Sequence, residues 1–370
     1  MRPELAAGDR AVVKIGTASL VGVTGEPDEE RMRALCGQVA AARAEGIDIV
    51  LVSSGAIAAG LRPLELSTRP SDIPSLQAAA AVGQGRLLAS YMRILGDLGL
   101  LGAQMLLTPH DFMQRQQYLN ARNTLDRLIS LSAVPIVNEN DTVAVDEIRF
   151  GDNDRLAALV ANLARARLLL LLTNAAGLLA DDPKRNPDAP VIDEVERITP
   201  ELERVAGGRG SEYATGGMAS KIAAAWVATF SGVGVVVADA SEPEVVARVV
   251  KGEPVGTFFH PRPHRISARR LWIAFAQPPR GAVVVDDGAR RAVVAGKRSL
   301  LAVGVVEVRG RFEAGDTVDV AEHSGTVFAR GLVRYSSEEL ARARGHPTAE
   351  LEGGEVIHRD QLVVLEEEPA

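Results

Sequence analysis

Short apolar runs and longer helical patterns alternate regularly along the first 260 residues, and few folds accommodate such an alternation. Most of the runs are apolar at nearly every position, which is typical of parallel strands covered by helices on both faces. We therefore expect an open α/β/α sandwich with a mainly parallel sheet. Its predicted strands are residues 11–15, 48–53, 102–107, 134–138, 168–173 and 234–238.

The clearest helical pattern lies between the first two predicted strands. Asp28 has the residue type that caps a helix, and Glu29 and Glu30 follow it in the first turn. Apolar side chains then recur at helical spacing, and Gly46 has the residue type that ends a helix. The sequence predicts a helix from Asp28 to Gly46.

The character of the sequence changes after residues 261–270, which are rich in proline, histidine and arginine. Short β-like runs separated by Gly and Asp turns then predict a small, mostly-β domain. We assign residues 1–265 to the first domain, 266–279 to a linker and 280–370 to the second domain. The predicted strands of the second domain are residues 281–285, 303–308, 317–320, 327–329 and 355–356.

The composition excludes several classes of protein. The net charge is −7, and residues 280–370 carry 12 basic against 16 acidic side chains, unlike a dedicated nucleic-acid binder. The longest aliphatic run, Leu168–Leu172, is far shorter than the ~20 residues of a membrane span. The first ten residues lack the apolar stretch of a signal peptide, and the single cysteine excludes an internal disulfide. We expect a cytoplasmic protein with no membrane partner and no nucleic-acid partner.

Lysine is rare, with five lysines among 41 basic residues, and two of them, Lys14 and Lys221, lie close to predicted glycine turns. Lys14 lies inside an apolar strand that runs into Gly16, and Lys221 follows the glycine pair Gly216-Gly217. A lysine in a buried strand is unfavourable unless it meets an anion, and glycine lets a phosphate approach the backbone. The alternative for Lys14 is a side chain that reaches solvent at the strand edge.

Polar clusters follow several of the predicted strands. Ser53-Ser54-Gly55 follows the second strand, Asn138–Asp141 and Gly151–Asp154 follow the fourth, and Thr173-Asn174 ends the fifth. Such groups bind anions, orient a lysine or hold Mg²⁺, although capped helix starts and solvated loops have the same composition. No Walker A loop and no G-x-G-x-x-G motif is present. Together with the lysines, the clusters indicate phosphoryl transfer.

The chain resembles the two-domain bacterial glutamate 5-kinase family, which joins an amino acid kinase domain to a C-terminal PUA domain. The strings that carry the resemblance span nearly all of the first domain. They are VVKIGT (12–17), VSSGAIAAG (52–60), AAAVGQGRL (79–87), GAQMLLT (102–108), NARNTL (120–125), VPIVNEND (134–141), FGDND (150–154), LLLLLTNAAGL (168–178), TGGMASK (215–221) and GTFFHP (256–261). The resemblance implies the amino acid kinase fold followed by a PUA-like domain.

The resemblance also implies a reaction: ATP-dependent phosphorylation of the γ-carboxylate of L-glutamate, with Mg²⁺, to L-glutamyl 5-phosphate and ADP, the first step of proline biosynthesis. It assigns catalytic roles to Lys14, Lys221, Asp152 and Asp154, with Asp152 orienting the two lysines. The implied glutamate contacts are Ser54, Asn138, Asp141 and Asn153. The implied nucleotide contacts are Lys14, Thr173, Asn174, Thr215, Gly216, Gly217, Met218, Ala219, Ser220 and Lys221. Asn174 departs from the family pattern, which has Asp at this position.

Four further expectations come from the resemblance alone: inhibition by proline, transfer of the product to glutamyl phosphate reductase, a homo-oligomer, and the PUA identity of the second domain. Other kinases with the same glycine and lysine pattern remain as alternatives, namely acetylglutamate kinase, aspartokinase, uridylate kinase and carbamate kinase. The combination of the NEND and GDND motifs with a PUA-like domain favours glutamate 5-kinase. RNA binding is an alternative of a different class, because PUA domains elsewhere bind RNA. The local feature that could serve it is the basic stripe of Arg290, Arg291, Lys297 and Arg298.

Overall fold

The structure is a computed structural model of the 370-residue chain. It describes residues 2–22, 25–112, 114–143, 153–181, 186, 188–199, 202, 217–262, 270, 273–274, 279–295, 298–345 and 354–365. The chain divides into two compact units, Met1–Arg265 and Ile266–Ala370.

An eight-stranded sheet forms the centre of the first unit. Its strands, in chain order, are β1 (Arg10–Ile15), β2 (Asp48–Val52), β3 (Leu101–Leu107), β4 (Ala133–Glu139), β5 (Leu168–Thr173), β6 (Glu194–Val195), β7 (Gly234–Asp239) and β8 (Thr257–Phe259). The spatial order is β3-β4-β2-β1-β5-β7-β8-β6, and every described pairing is parallel except that of β7 with β8. The six predicted strands are confirmed, each end lying within one residue of its predicted position. The predicted fold class is also confirmed.

Helices cover the apolar strands, whose central members are buried at almost every position. They are α1 (Thr17–Leu20), α2 (Glu29–Ala44), α3 (Ala56–Leu61), α4 (Ile73–Asp97), α5 (Arg115–Ser130), α6 (Asp154–Leu163), α7 (Met218–Phe230) and α8 (Val245–Val250). Helix α2 packs against α4 and α8, whereas α6 packs against α7.

The predicted capping of α2 is confirmed at both ends. The Asp28 side chain accepts a hydrogen bond from the backbone N–H of Arg31, and Gly46 adopts φ +83° after the last turn. The N–H of Ile47 reaches back to the carbonyl of Ala42, which satisfies a carbonyl that the helix end leaves open. These contacts bring the chain directly from α2 into β2.

Helices α3 and α4 cross at unusually close range because each contributes a glycine. A Cβ atom on Gly60 would lie 1.8 Å from the carbonyl oxygen of Ala79, and one on Gly83 would lie 1.8 Å from that of Ala56. Any larger residue at either position would therefore push the helices apart. The crossing sets the position of α4 relative to α3, which begins just after the end of β2.

The strand order reverses between β1 and β5, since the chain proceeds to β2 on one side of β1 and to β5 on the other. In open α/β sheets, ligands bind outside the carboxyl ends of the strands at such a reversal. The carboxyl ends of β1, β2, β4 and β5 meet at this edge, and the predicted site residues that the structure describes lie there or at the starts of α6 and α7.

The second unit contains a five-stranded sheet in the order β10-β9-β11-β12-β13. The strands are β9 (Gly281–Val285), β10 (Val305–Gly310), β11 (Thr317–Ala321), β12 (Val327–Leu332) and β13 (Leu362–Val364), with helices α9 (Asp287–Val294) and α10 (Ser337–Ala343). The predicted strand at 355–356 is wrong. That segment forms only an isolated bridge between Ile357 and Leu300, and the last strand of the sheet is β13.

Candidate active site

Lys14 and Lys221 converge on one carboxylate, that of Asp154. The Nζ atom of Lys14 lies 2.5 Å from Asp154 Oδ1, and the Nζ atom of Lys221 lies 3.0 Å from Asp154 Oδ2. Ser220 donates a further hydrogen bond of 2.9 Å to Oδ2. None of the three charged side chains exposes more than 8% of its surface.

Helix starts fix two of these three charged groups. Asp154 is the first residue of α6, where a negative charge is stabilised by the helix dipole. Lys221 lies one turn into α7, and its Nζ also donates to the carbonyl of Gly217, whose φ of +86° marks the turn before the helix. Because α6 packs against α7, the carboxylate and this ammonium group meet.

Among the described residues, the charged groups of this cluster are the ammonium groups of Lys14 and Lys221 and the carboxylate of Asp154. Burial alone would raise the pKa of Asp154, but the two lysine ammonium groups outweigh burial and hold that pKa below its usual range. The carboxylate is therefore ionised, and two ammonium groups face one anion. Two buried ammonium groups that meet at one point are suited to binding a further anion.

A second cluster consists of three side-chain amides beside the end of β2: Asn138 near the end of β4, Asn153 just before α6, and Gln84 on α4. Asn153 donates from Nδ2 to the carbonyl oxygen of Ser53 at 2.6 Å and to Asn138 Oδ1 at 2.7 Å. Asn138 in turn donates from Nδ2 to Oε1 of Gln84 on α4. Ser54 is buried and donates from Oγ to the carbonyl of Ile15 at 2.9 Å, which ties the end of β2 to the end of β1.

Asn153 and Asp154 are consecutive, so the amide cluster and the lysine cluster share one backbone segment. Asp141 follows β4 by two residues. Burial raises the pKa of Asp141 to about 6, and the positive charge of Arg69 offsets only part of this effect. A carboxylate with this raised pKa binds a cation readily, because pairing relieves the unfavourable burial of its charge.

Thr173 and Asn174 end β5 and line an open cleft of ≈ 770 Å³. Thr173 is half-buried, whereas Asn174 is exposed. Neither lysine of the cluster lines this cleft, and its charged side chains are mostly acidic: Asp28, Glu30, Asp239, Glu242 and Glu244 against Arg31. The cleft is therefore electrostatically distinct from the lysine cluster.

The structure thus places most of the residues that the sequence singled out at one edge of the sheet. Four of the implied nucleotide contacts form the first turn of α7: Met218, Ala219, Ser220 and Lys221. Asp152, Thr215 and Gly216 lie outside the described residues. Asp154, to which the resemblance also assigns a catalytic role, contacts both lysines.

Sequence reasoning gave no role to Gln84, although the string AAAVGQGRL contains it. Its partner Asn138 lies 54 positions away in sequence, so no local pattern connects them. The available signal was the pair of glycines in neighbouring helical patterns, Gly60 and Gly83, which indicates a close helix crossing beside Gln84.

The described part of the chain holds neither a cluster of metal ligands nor a helix suited to a membrane. No group of three or more His, Cys, Asp or Glu side chains within it is placed to hold a metal ion. No helix within it combines the length and the apolar composition that crossing a bilayer requires.

Comparison with known proteins is consistent over the whole chain. Residues 9–239 match the model of the amino acid kinase family, and residues 281–354 match that of the PUA domain. The chain is 46% identical to Glutamate 5-kinase of Citrifermentans bemidjiense over 363 residues, which cover 96% of this chain and 97% of that protein. It is 46% identical to Glutamate 5-kinase of Myxococcus xanthus over 371 residues, 98% of each chain, and 45% identical to that of Caldanaerobacter subterraneus over 364 residues, 96% of this chain and 98% of the relative. The chain therefore belongs to the amino acid kinase family.

Proposed function

We propose that the protein is a glutamate 5-kinase. It transfers the γ-phosphoryl group of ATP to the γ-carboxylate of L-glutamate and forms L-glutamyl 5-phosphate and ADP, the first step of proline biosynthesis from glutamate. The observation that carries this proposal is the buried pair Lys14 and Lys221 on one carboxylate, in a chain whose relatives carry this name over nearly their full length.

The chemistry needs no general base, because the unperturbed pKa of a glutamate side chain is ~4.3 and the nucleophile is already ionised. The difficulty is that an anionic carboxylate must approach an anionic phosphoryl group. Lys14 and Lys221 offset this repulsion and stabilise the charge on the transferring group, while Asp154 fixes both ammonium groups before the substrates arrive. Alignment of the two substrates supplies the remaining rate enhancement.

We assign the glutamate end to Ser54, Asn138, Asp141 and Asn153. Both protons of the Asn153 amide are used by Ser53 and Asn138, so its remaining polar atom is the acceptor Oδ1. An acceptor of this kind and the carboxylate of Asp141 both complement the α-ammonium group of an amino acid.

We assign the nucleotide end to Lys14, Thr173, Asn174 and the segment Thr215–Lys221. The acidic cleft beside Thr173 and Asn174 repels a triphosphate, which favours an arrangement with the phosphates at the lysines and the uncharged part of the nucleotide toward the cleft. Mg²⁺ fits this site as an ion carried by the phosphates, because the described residues offer no cage of protein ligands and Mg²⁺ usually keeps phosphate and water ligands. It would neutralise charge on the phosphate oxygens.

Several finer assignments are part of the same proposal. Residues 1–265 form the catalytic domain, 266–279 a linker and 280–370 the PUA-like domain. Inhibition by L-proline, a homo-oligomeric state and transfer of the unstable acyl phosphate to glutamyl phosphate reductase are predictions from the family. We do not assign RNA binding to the second domain, since Arg290 pairs with Glu322 at 2.5 Å and lies over the ring of Phe328.

Hydroxylamine trapping tests the proposed reaction directly. ATP consumption and hydroxamate formation are measured in parallel with L-glutamate, N-acetyl-L-glutamate, L-aspartate and UMP. We expect glutamate-dependent hydroxamate that added L-proline suppresses. Turnover with another acceptor alone would overturn the substrate assignment, while turnover that proline does not affect would overturn only the proposed inhibition.

A further inference from the structure

The glycine crossing of α3 and α4 brings Gln84 to the amide cluster, where the proposed reaction gives it no role. Gln84 is half-buried and follows Gly83 directly, so the close approach of α4 to α3 sets its position. Its Oε1 accepts a hydrogen bond from Nδ2 of Asn138. Gln84 is thus two hydrogen bonds away from Asn153.

Backbone groups fix the orientation of both asparagine amides. The N–H of Glu139 donates to Asn138 Oδ1 at 3.0 Å, and the carbonyl oxygen of Ser53 accepts from Asn153 Nδ2 at 2.6 Å. A backbone N–H can only donate and a carbonyl can only accept, so the oxygen and nitrogen ends of both amides are determined. It follows that Asn138 turns its Nδ2 toward Gln84, and that Gln84 must turn its oxygen toward Asn138.

This arrangement leaves two open polar atoms of opposite character. Among the described residues, Gln84 Nε2 and Asn153 Oδ1 have no hydrogen-bond partner, and neither atom is sealed from solvent. The first is a donor with two protons, and the second is an acceptor. An α-amino acid carries the complementary pair on one carbon atom, an acceptor carboxylate and a donor ammonium group.

We propose that Gln84 is a specificity-determining residue that recognises the α-carboxylate of the substrate through its Nε2. Asn138 holds the Gln84 amide in the one orientation that presents N–H groups rather than an oxygen. This inference rests on the proposed function, and it adds a contact from α4 to a site otherwise built from strand ends. In a ligand with a carboxamide in place of the α-carboxylate, an amide N–H group can face Gln84. Two N–H groups that face each other form no hydrogen bond.

The variant Gln84→Glu separates recognition from positioning. It keeps an oxygen to accept from Asn138 and replaces the open donor by an anionic acceptor. We expect Kd and KM for L-glutamate to rise about tenfold or more, because a hydrogen bond to a charged group is lost and repulsion is added. L-isoglutamine has the same γ-carboxylate but an α-carboxamide. Its kcat/KM should rise relative to that of L-glutamate. The ratio of the two kcat/KM values should shift toward L-isoglutamine by at least about tenfold.

Two further variants complete the test on the full-length chain. Gln84→Met removes the donor and the acceptor together. It should therefore weaken the binding of L-glutamate without shifting the preference toward L-isoglutamine. Ala89→Glu adds the same charge at an exposed position of α4 and should leave both substrates unchanged. Thermal unfolding of each variant shows whether the fold is retained, and Gln84→Asn offers a shorter amide if Gln84→Glu does not fold.

The outcomes separate this inference from the proposed function. An equal loss for both ligands, or unchanged L-glutamate affinity in Gln84→Glu, would overturn the α-carboxylate contact. Calorimetric binding of L-glutamate decides this even without turnover. If Asn153→Ala weakens L-glutamate binding while Gln84→Glu does not, only the Gln84 inference fails. If wild-type protein binds L-glutamate through Gln84 but forms no hydroxamate, the contact stands and the proposed reaction fails.

Discussion

The Nζ atom of Lys14 lies 2.5 Å from Oδ1 of Asp154, in a pair whose side chains expose 4% and 1% of their surface. Lys221 holds the other carboxylate oxygen, so one anion positions two cations. Burying charges is unfavourable unless they are paired, and among the described residues two buried cations share the carboxylate of Asp154. Two ammonium groups held together in this way attract an incoming phosphoryl group.

Removal of either buried lysine should abolish most of the activity. We expect Lys14→Ala and Lys221→Ala to lower kcat by about 10²-fold or more, the usual effect of losing a group that stabilises transition-state charge. Lys251→Ala is the matched control, because the Lys251 side chain is 54% exposed and forms a loose pair, with its Nζ 3.7 Å from Oε1 of Glu45. Steady-state kinetics with saturating ATP and L-glutamate decide the point. Near-wild-type turnover in either of the first two variants would contradict the assigned roles.

Asp154→Asn should lower both the stability of the fold and the rate of the reaction. It leaves two buried ammonium groups without their anion, and breaking a buried ion pair typically lowers the free energy of unfolding by about 3–5 kcal/mol. The double variant Lys14→Met/Asp154→Asn removes one of the stranded charges. It should therefore lose less stability than the sum of the two single variants, without recovering activity.

Urea unfolding of the wild type, Lys14→Met, Asp154→Asn and the double variant measures the interaction energy between Lys14 and Asp154. Strictly additive losses in the double variant would show that the two groups contribute independently, contrary to their 2.5 Å contact.

The affinity for L-glutamate should weaken in mild acid. The pKa of Asp141 is raised to about 6 by burial, so its carboxylate becomes protonated as the pH falls through that value and can no longer attract the substrate ammonium group. We expect KM for L-glutamate to rise between pH 7 and pH 5 with little change in kcat. Asp141→Asn should show a high KM at every pH and no such titration. A wild-type KM that stays constant over this range would exclude Asp141 as the ammonium partner.

The raised pKa of Asp141 also predicts that the stability of the fold decreases as the pH rises, whereas the affinity for L-glutamate increases. A carboxyl group whose pKa is raised by folding favours the folded state below its unfolded pKa of 3.8, and this contribution is lost as the pH rises through about 6. Asp141→Asn should therefore raise the Tm at pH 8 more than at pH 5. Thermal unfolding at the two pH values, with Asp188→Asn at an exposed position as a surface control, tests whether the burial of Asp141 lowers stability at neutral pH while it supports binding.

The fold was predictable because strand patterns are local. Continuous apolar runs located β1 to β5 and β7 to within one residue, and the residue types at Asp28 and Gly46 correctly located the ends of α2. The last strand of the second unit was missed: the prediction stopped at 355–356, and β13 begins only at Leu362. Three residues, buried against β12, are too short to give an alternating pattern.

The site was predictable only where polar residues lie in the last residues of a strand or directly after it. Lys14, Asn138 and Thr173 have that sequence context, whereas Gln84 lies mid-helix with no local mark of function. Its position depends on a helix crossing between residues far apart in sequence, which single-sequence patterns do not report. The choice of Asp154 as the shared anion likewise depends on how α6 packs against α7.

The crossing itself is testable through two glycines of α4 that lie on different faces. Gly83→Ala would place a Cβ atom 1.8 Å from the carbonyl oxygen of Ala56, whereas the same change at Gly85 meets nothing within 4 Å. We expect Gly83→Ala to lower the free energy of unfolding by about 1–3 kcal/mol through overpacking. Gly85→Ala should raise it by roughly 0.5–1 kcal/mol, since alanine favours the helix.

Because a shift of α4 would also move Gln84 away from Asn138, Gly83→Ala should raise KM for L-glutamate and leave KM for ATP near the wild-type value. Urea unfolding and steady-state kinetics on both variants test this coupling, and a Gly83→Ala protein that is less stable but binds L-glutamate normally would show that the crossing supports the fold without setting the site.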